Sequence, residues 1–118
     1  MKAAISAVRE LYPNKHLTAV FQPHLFSRTK DFVDGFAEEL SKVDELILTE
    51  IYPARELPIE GVTSKIIFDK VKLDKKKLIH QDELLDTINN TPIETLLMVG
   101  AGDIDKKVIE VKEKYFNA

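Results

Sequence analysis

A chain of 118 residues with an ordinary apolar fraction makes one domain with room for a core, and excludes a disordered or fibrous protein. Its net charge of −3, spread over mixed acidic and basic side chains, offers no general field for nucleic acid or an anionic membrane. Having no cysteine, it has no disulfide framework, thiol nucleophile or cysteine-ligated zinc site.

No apolar run reaches the ~20 residues of a membrane span. Arg9 and Glu10 interrupt the early apolar residues, so no signal peptide is read there and the cytoplasm is the expected compartment. The first helical pattern runs from Met1 to Leu11, with Ala4, Ile5, Val8 and Leu11 on one face. It opens in mid-period, without a capping residue or a preceding strand, which raises the expectation of a piece of a longer chain.

Leu17 to Phe21 reads as the first strand, and Thr29 to Ser41 as the second helix, with Phe32, Val33, Phe36, Ala37 and Leu40 at helical spacing. Leu46-Ile47-Leu48 centres the second strand, and a proline-containing loop follows from Tyr52 to Gly61. Thr63 to Val71 is a short helix, and the lysines from Lys70 to Lys77 read as a solvated turn. Leu78-Ile79 is a weak third strand, Asp82 to Asn89 a helix, and Thr95 to Val99 the fourth strand. After Gly100-Ala101-Gly102-Asp103 a last helix runs to about Phe116. Alternation on this scale implies crossover connections and an α/β fold, with a mostly parallel sheet covered by helices on both faces.

Ligands of α/β domains bind beyond the carboxyl ends of the strands, so the loops there matter most. After the first strand come Pro23, which has no donor to extend a ladder, then His24 and Arg28 before a helix N-terminus that favours anions. After the second strand come Tyr52, Arg55 and Glu56, and after the fourth Gly102 and Asp103, the last placed as an N-cap. Asp103 repels phosphate, and Asp105 stands where a dinucleotide fingerprint needs its third glycine, so a small polar ligand fits better than a nucleotide. An imidazole, two guanidiniums and a glycine turn at one edge suit a carboxylate-bearing substrate. The plainer alternatives are that His24 caps a turn, Arg28 pairs with a surface carboxylate, Arg55 pairs with Glu56, and the glycine turn is structural. His16 and His80 read as lone histidines in core or surface roles. No phosphate loop, metal-spaced cluster or serine triad is present, so no catalytic residue and no metal ligand is assigned within the chain.

Three stretches carry a resemblance: Val20-Phe21-Gln22-Pro23-His24 with Ser27-Arg28-Thr29, Ile51-Tyr52-Pro53-Ala54-Arg55-Glu56 with Pro58 and Gly61, and Gly100-Ala101-Gly102-Asp103-Ile104. In order and spacing the chain resembles, over nearly its whole length, the C-terminal domain of the Mur ligases, which build the peptidoglycan stem peptide. The Phe-Gln-Pro-His stretch with the Tyr-Pro-Ala loop is similar to the alanine-adding branch. The resemblance implies a Rossmann-like three-layer domain that works beside N-terminal and central domains of one longer enzyme. It implies ATP and Mg2+ held mainly by that central domain, and L-alanine and UDP-N-acetylmuramate as substrates, with no nucleic acid or membrane partner. It further implies that Arg28 steadies a carboxylate or developing phosphate charge and that His24 shapes that pocket. The Tyr52–Glu56 loop and the Gly100–Asp103 turn would line the amino-acid pocket. Many relatives carry an arginine directly after the histidine, where this chain has Leu25. A fragment without a phosphate loop is expected to be inactive alone. A phosphoacceptor receiver would need acidic groups where Gln22-Pro23 and Leu48-Thr49-Glu50 stand, and a stand-alone α/β binding module is the remaining alternative.

Overall fold

The computed structural model describes residues 2–52 and 55–99. Strands β1 (Leu17–Phe21), β2 (Glu45–Thr49), β3 (Lys76–Ile79) and β4 (Thr95–Val99) form a sheet in the order β3-β2-β1-β4, with every pairing parallel. Helices α1 (Lys2–Leu11), α2 (Phe26–Leu40), α3 (Ser64–Phe68) and α4 (Leu84–Asn89) alternate with them, and a 3-10 turn over Gln81–Glu83 leads into α4.

The two-residue period of the strands sorts their side chains into two cores. Leu17, Ala19 and Phe21 of β1 and Leu46 and Leu48 of β2 pack with Ile5, Ala37, Leu40 and Ile67 from α1, α2 and α3. Val20 and Ile47 point the other way and pack with Leu84 and Ile88 of α4. Stepping from β1 to β2 to β3 keeps α2 and α3 on one face. The chain then returns to the far side of β1, and α4 packs on the opposite face. The direction of winding reverses between β1 and β4, which is where an open α/β sheet leaves a crevice at its carboxyl edge.

Four local expectations change. First, α2 opens at Phe26, three residues before Thr29, because the Leu25 carbonyl already accepts the Thr29 amide at 3.2 Å and its hydroxyl at 2.9 Å. Second, α3 stops at Phe68 rather than Val71. There the Lys76 ammonium lies 4.5 Å over the Phe68 ring and donates to the carbonyls of Phe68 and Val71, at 2.7 and 3.1 Å. The lysine-rich turn is thus partly built in, and Lys70 also pairs with Asp34. Third, Phe32 is 55% exposed, since its φ of −119° and ψ of 19° break the helical phase and swing the ring off the buried stripe. Fourth, Leu11 is 72% exposed: α1 ends there, and its buried stripe is carried by Ile5 and Val8. The Gly100–Asp103 turn, with Gly102 and Asp103, and the last helix lie outside the described residues.

Candidate functional site

Beyond β1 and β2 the two loops join again. Pro23 lacks an amide hydrogen, but its carbonyl accepts the Tyr52 amide at 2.8 Å, and the Tyr52 carbonyl accepts the Leu25 amide at 2.8 Å. His24 and Tyr52 thus face each other as an isolated parallel bridge, with their rings stacked 5.6 Å apart at 29°. Pro23 ends the ladder only as a donor. On the other side the Gln22 amide donates to the Val99 carbonyl at 3.1 Å, tying β1 to the end of β4.

Leu25 follows the bridge with φ 72° and ψ 138°, a conformation that costs a non-glycine residue roughly 1–3 kcal/mol. It is held there from both sides, by its amide to Tyr52 and its carbonyl to Thr29. As the N-cap of α2 it has no side chain able to satisfy the first amides. Glu56 does this instead. Its Oε1 accepts the Ser27 amide at 3.1 Å and its Oε2 accepts the Ser27 hydroxyl at 2.5 Å. The Ser27 hydroxyl, then the Ser27 amide, hold the Glu56 carboxyl below its ordinary value; burial opposes them, and the Phe26 amide and the charge of His24 add lesser downward contributions. The anion-favouring end of α2 is therefore filled by a carboxylate of the chain itself.

Arg28, one residue past this clasp, is exposed, and no ion pair or hydrogen bond holds it among the described residues. Arg55, one residue before Glu56, is likewise exposed and unpaired among them. Among the described residues neither arginine makes a surface pair, and Glu56 binds Ser27 rather than Arg55. His24 and Tyr52 meet at the carboxyl edge, Arg28 lies in the first turn of α2 beyond it, and Arg55 stands in the loop after Tyr52. Gly102 and Asp103 fall outside the described residues, while Val99, paired in register with Phe21, ends its strand at that edge.

The sequence reading missed a second pair at this edge. Thr49 and Ile79 are partners in register, so Glu50 and His80 leave neighbouring strands together. His80 Nδ1 lies 2.8 Å from Glu50 Oε2, and the Gln81 amide donates to Glu50 Oε1 at 3.3 Å. The bond to Glu50 and its charge raise the His80 pKa above the ordinary histidine value. This pair rims a cleft of about 440 Å3 whose apolar lining includes Phe26, Ile51 and Ile79. His80 is thus no lone histidine, and its placement just after a strand was the signal. No group of three or more His, Asp or Glu able to hold a metal ion occurs among the described residues.

The family model described as "Mur ligase, glutamate ligase domain" matches residues 1–104. UDP-N-acetylmuramate–L-alanine ligase of Flavobacterium psychrophilum is 51% identical over 114 residues, covering 97% of this chain and 25% of that protein. The proteins of the same name from Parabacteroides distasonis and Porphyromonas gingivalis are 53% and 50% identical, each covering 96% of this chain and 24% and 25% of their own lengths. The chain thus spans about a quarter of the length of these curated relatives.

Proposed function

We propose that this chain, which belongs to the Mur ligase family as its glutamate ligase domain, is the amino-acid-binding wall of an ATP-dependent ligase that adds L-alanine to UDP-N-acetylmuramate. In this reading it is the C-terminal domain of a longer cytoplasmic enzyme, and ATP and Mg2+ are held mainly by a central domain. No described helix is long and apolar enough to cross a membrane. The single observation that supports the reading is the paired-loop edge, where His24 and Tyr52 stack and Arg28 stands exposed with no acidic partner among the described residues.

The chemistry follows from what these groups can do. The ligase couples ATP hydrolysis to amide formation: the muramyl carboxylate is phosphorylated, and the alanine amine displaces phosphate. An exposed guanidinium with its donors unused makes charge-assisted, often bidentate bonds to a carboxylate or phosphoryl oxygen. Arg28 fills that role, and the stacked His24 and Tyr52 form the wall beside it. The described residues supply binding groups and no phosphate loop, so the chain alone is expected to release no phosphate from ATP.

Steady-state kinetics of the full-length ligase with Arg28→Ala, and its melting temperature, test this. Loss of a preorganised donor to developing charge predicts a fall in turnover on the order of a hundredfold. Arg28→Lys recovers part of it, because an ammonium lacks the fork. His24→Ala does less harm. Unchanged turnover and Michaelis constants would remove Arg28 from the site.

A further inference from the structure

Two arginines at this edge are unpaired among the described residues, and each is covalently next to one end of the same contact. Arg28 follows Ser27, and Arg55 precedes Glu56. We propose that Glu56 is a positioning residue: by docking on Ser27 it sets the backbone of Arg28 and of Arg55 against each other, so that both guanidiniums serve one substrate oxyanion. This rests on the reading of the site given above and names the device that assembles it.

The geometry carries this in three steps. Among the described residues, the backbone bonds that tie the Arg55-bearing loop to the loop after β1 are those of Tyr52, to Pro23 and Leu25. Leu57, just beyond Glu56, is 84% exposed, so its side chain does not hold that side. The Glu56 carboxylate is the side-chain contact from this stretch to α2, and it makes two hydrogen bonds to one residue. A two-point contact to the first turn of a fifteen-residue helix fixes orientation as well as distance. Without it, Arg55 is free to move relative to Arg28, and a receptor built from both loses its preorganisation.

The groups that bear on the Glu56 carboxylate are Ser27, the Phe26 amide and His24, with no lysine or arginine among them. Glu56 brings a negative charge to the segment that carries Arg55 and to the first turn of α2, which carries Arg28. A carboxylate there would weaken anion binding if charge alone mattered. Its removal should then tighten binding of the substrate oxyanion, whereas the positioning role demands that removal weaken it. The two accounts differ in sign.

The test is a double-mutant cycle in the full-length ligase, with L-alanine varied and the melting temperature followed alongside. Glu56→Ala should lower kcat/KM for L-alanine about tenfold or more, a scale set by small misplacements of binding groups. Glu56→Gln should recover part, since an amide can still accept the Ser27 amide proton. In an Arg28→Ala, Arg55→Ala background Glu56→Ala should cost little further, because there is nothing left to position. The proposal is overturned by a rise in kcat/KM, by a change under twofold, or by an equal loss in both backgrounds. If the arginine variants are fully active, the reading of the site fails, and this proposal with it. If they are impaired while Glu56→Ala is not, only the proposal fails. Ser27→Ala, which removes one arm and keeps the helix amide, should fall between wild type and Glu56→Ala.

Discussion

His24 and Tyr52 meet ring to ring at 5.6 Å although 28 residues separate them, because parallel neighbours β1 and β2 deliver both loops to the same edge. The contact is made by the rings; no described residue bonds the Tyr52 hydroxyl. Tyr52→Phe should therefore leave stability within about 0.5 kcal/mol of wild type. Tyr52→Ala should cost roughly 1 kcal/mol for the lost stack, before any loosening of the loops. Chemical denaturation of the three proteins checks this, and an equal loss in both variants would assign the effect to the hydroxyl.

At the opposite edge Asp44 ties α1 to the sheet. Its Oδ2 accepts the Arg9 guanidinium at 3.0 Å and the Leu17 amide at 2.7 Å. Partial burial pushes its carboxyl up, but the Arg9 bond, the Leu17 amide and the charges of Arg9 and His16 outweigh it, and the net shift is downward. A lowered folded-state value means that this stability is present above the unfolded aspartate value and is lost as pH falls through the folded one. Asp44→Asn should therefore flatten the acid limb of the stability curve and cost about 1 kcal/mol at neutral pH, a modest figure because the two side chains are 32% and 39% open to water. Melting temperatures between pH 7 and acid, for wild type and variant, decide it.

His80 works in the other direction. Glu50 raises its pKa, so the stabilisation from this pair is fully present below the unfolded histidine value and fades as pH rises through the folded one. Both side chains are largely exposed, so the effect should shrink with added salt. NMR titration of the His80 ring should give a midpoint above that of an ordinary histidine, and Glu50→Gln should bring it down. A midpoint unmoved by Glu50→Gln would mean that the pair does not hold in solution.

Ile47 and Leu11 are both apolar residues that pattern alone would bury. Ile47 has no exposure at all and packs under α4, whereas Leu11 is 72% exposed. Ile47→Ala should cost about 2–5 kcal/mol, from lost transfer energy and the cavity left behind. Leu11→Ala should change stability by no more than about 0.5 kcal/mol. Comparable losses would return Leu11 to the core.

The amino-acid sequence by itself determined what is local. The apolar runs around Ala19, Ile47 and Leu97 became buried or half-buried strands because an all-apolar stretch of strand length has few other places to go. The residues just past those runs, His24 and Tyr52, were legible as edge residues from their position alone. Tertiary structure decided whatever depends on which strands are neighbours. The order β3-β2-β1-β4 and the pairing of Thr49 with Ile79 bring Glu50 to His80, two residues that share no local pattern. The same sheet brings Glu56 across 29 residues to Ser27, where a carboxylate replaces the cap that Leu25 lacks and moves the start of α2 three residues toward the N-terminus. Helical and strand periods are set by near neighbours along the chain, whereas a helix end or a binding edge is completed by whichever loop the sheet places beside it.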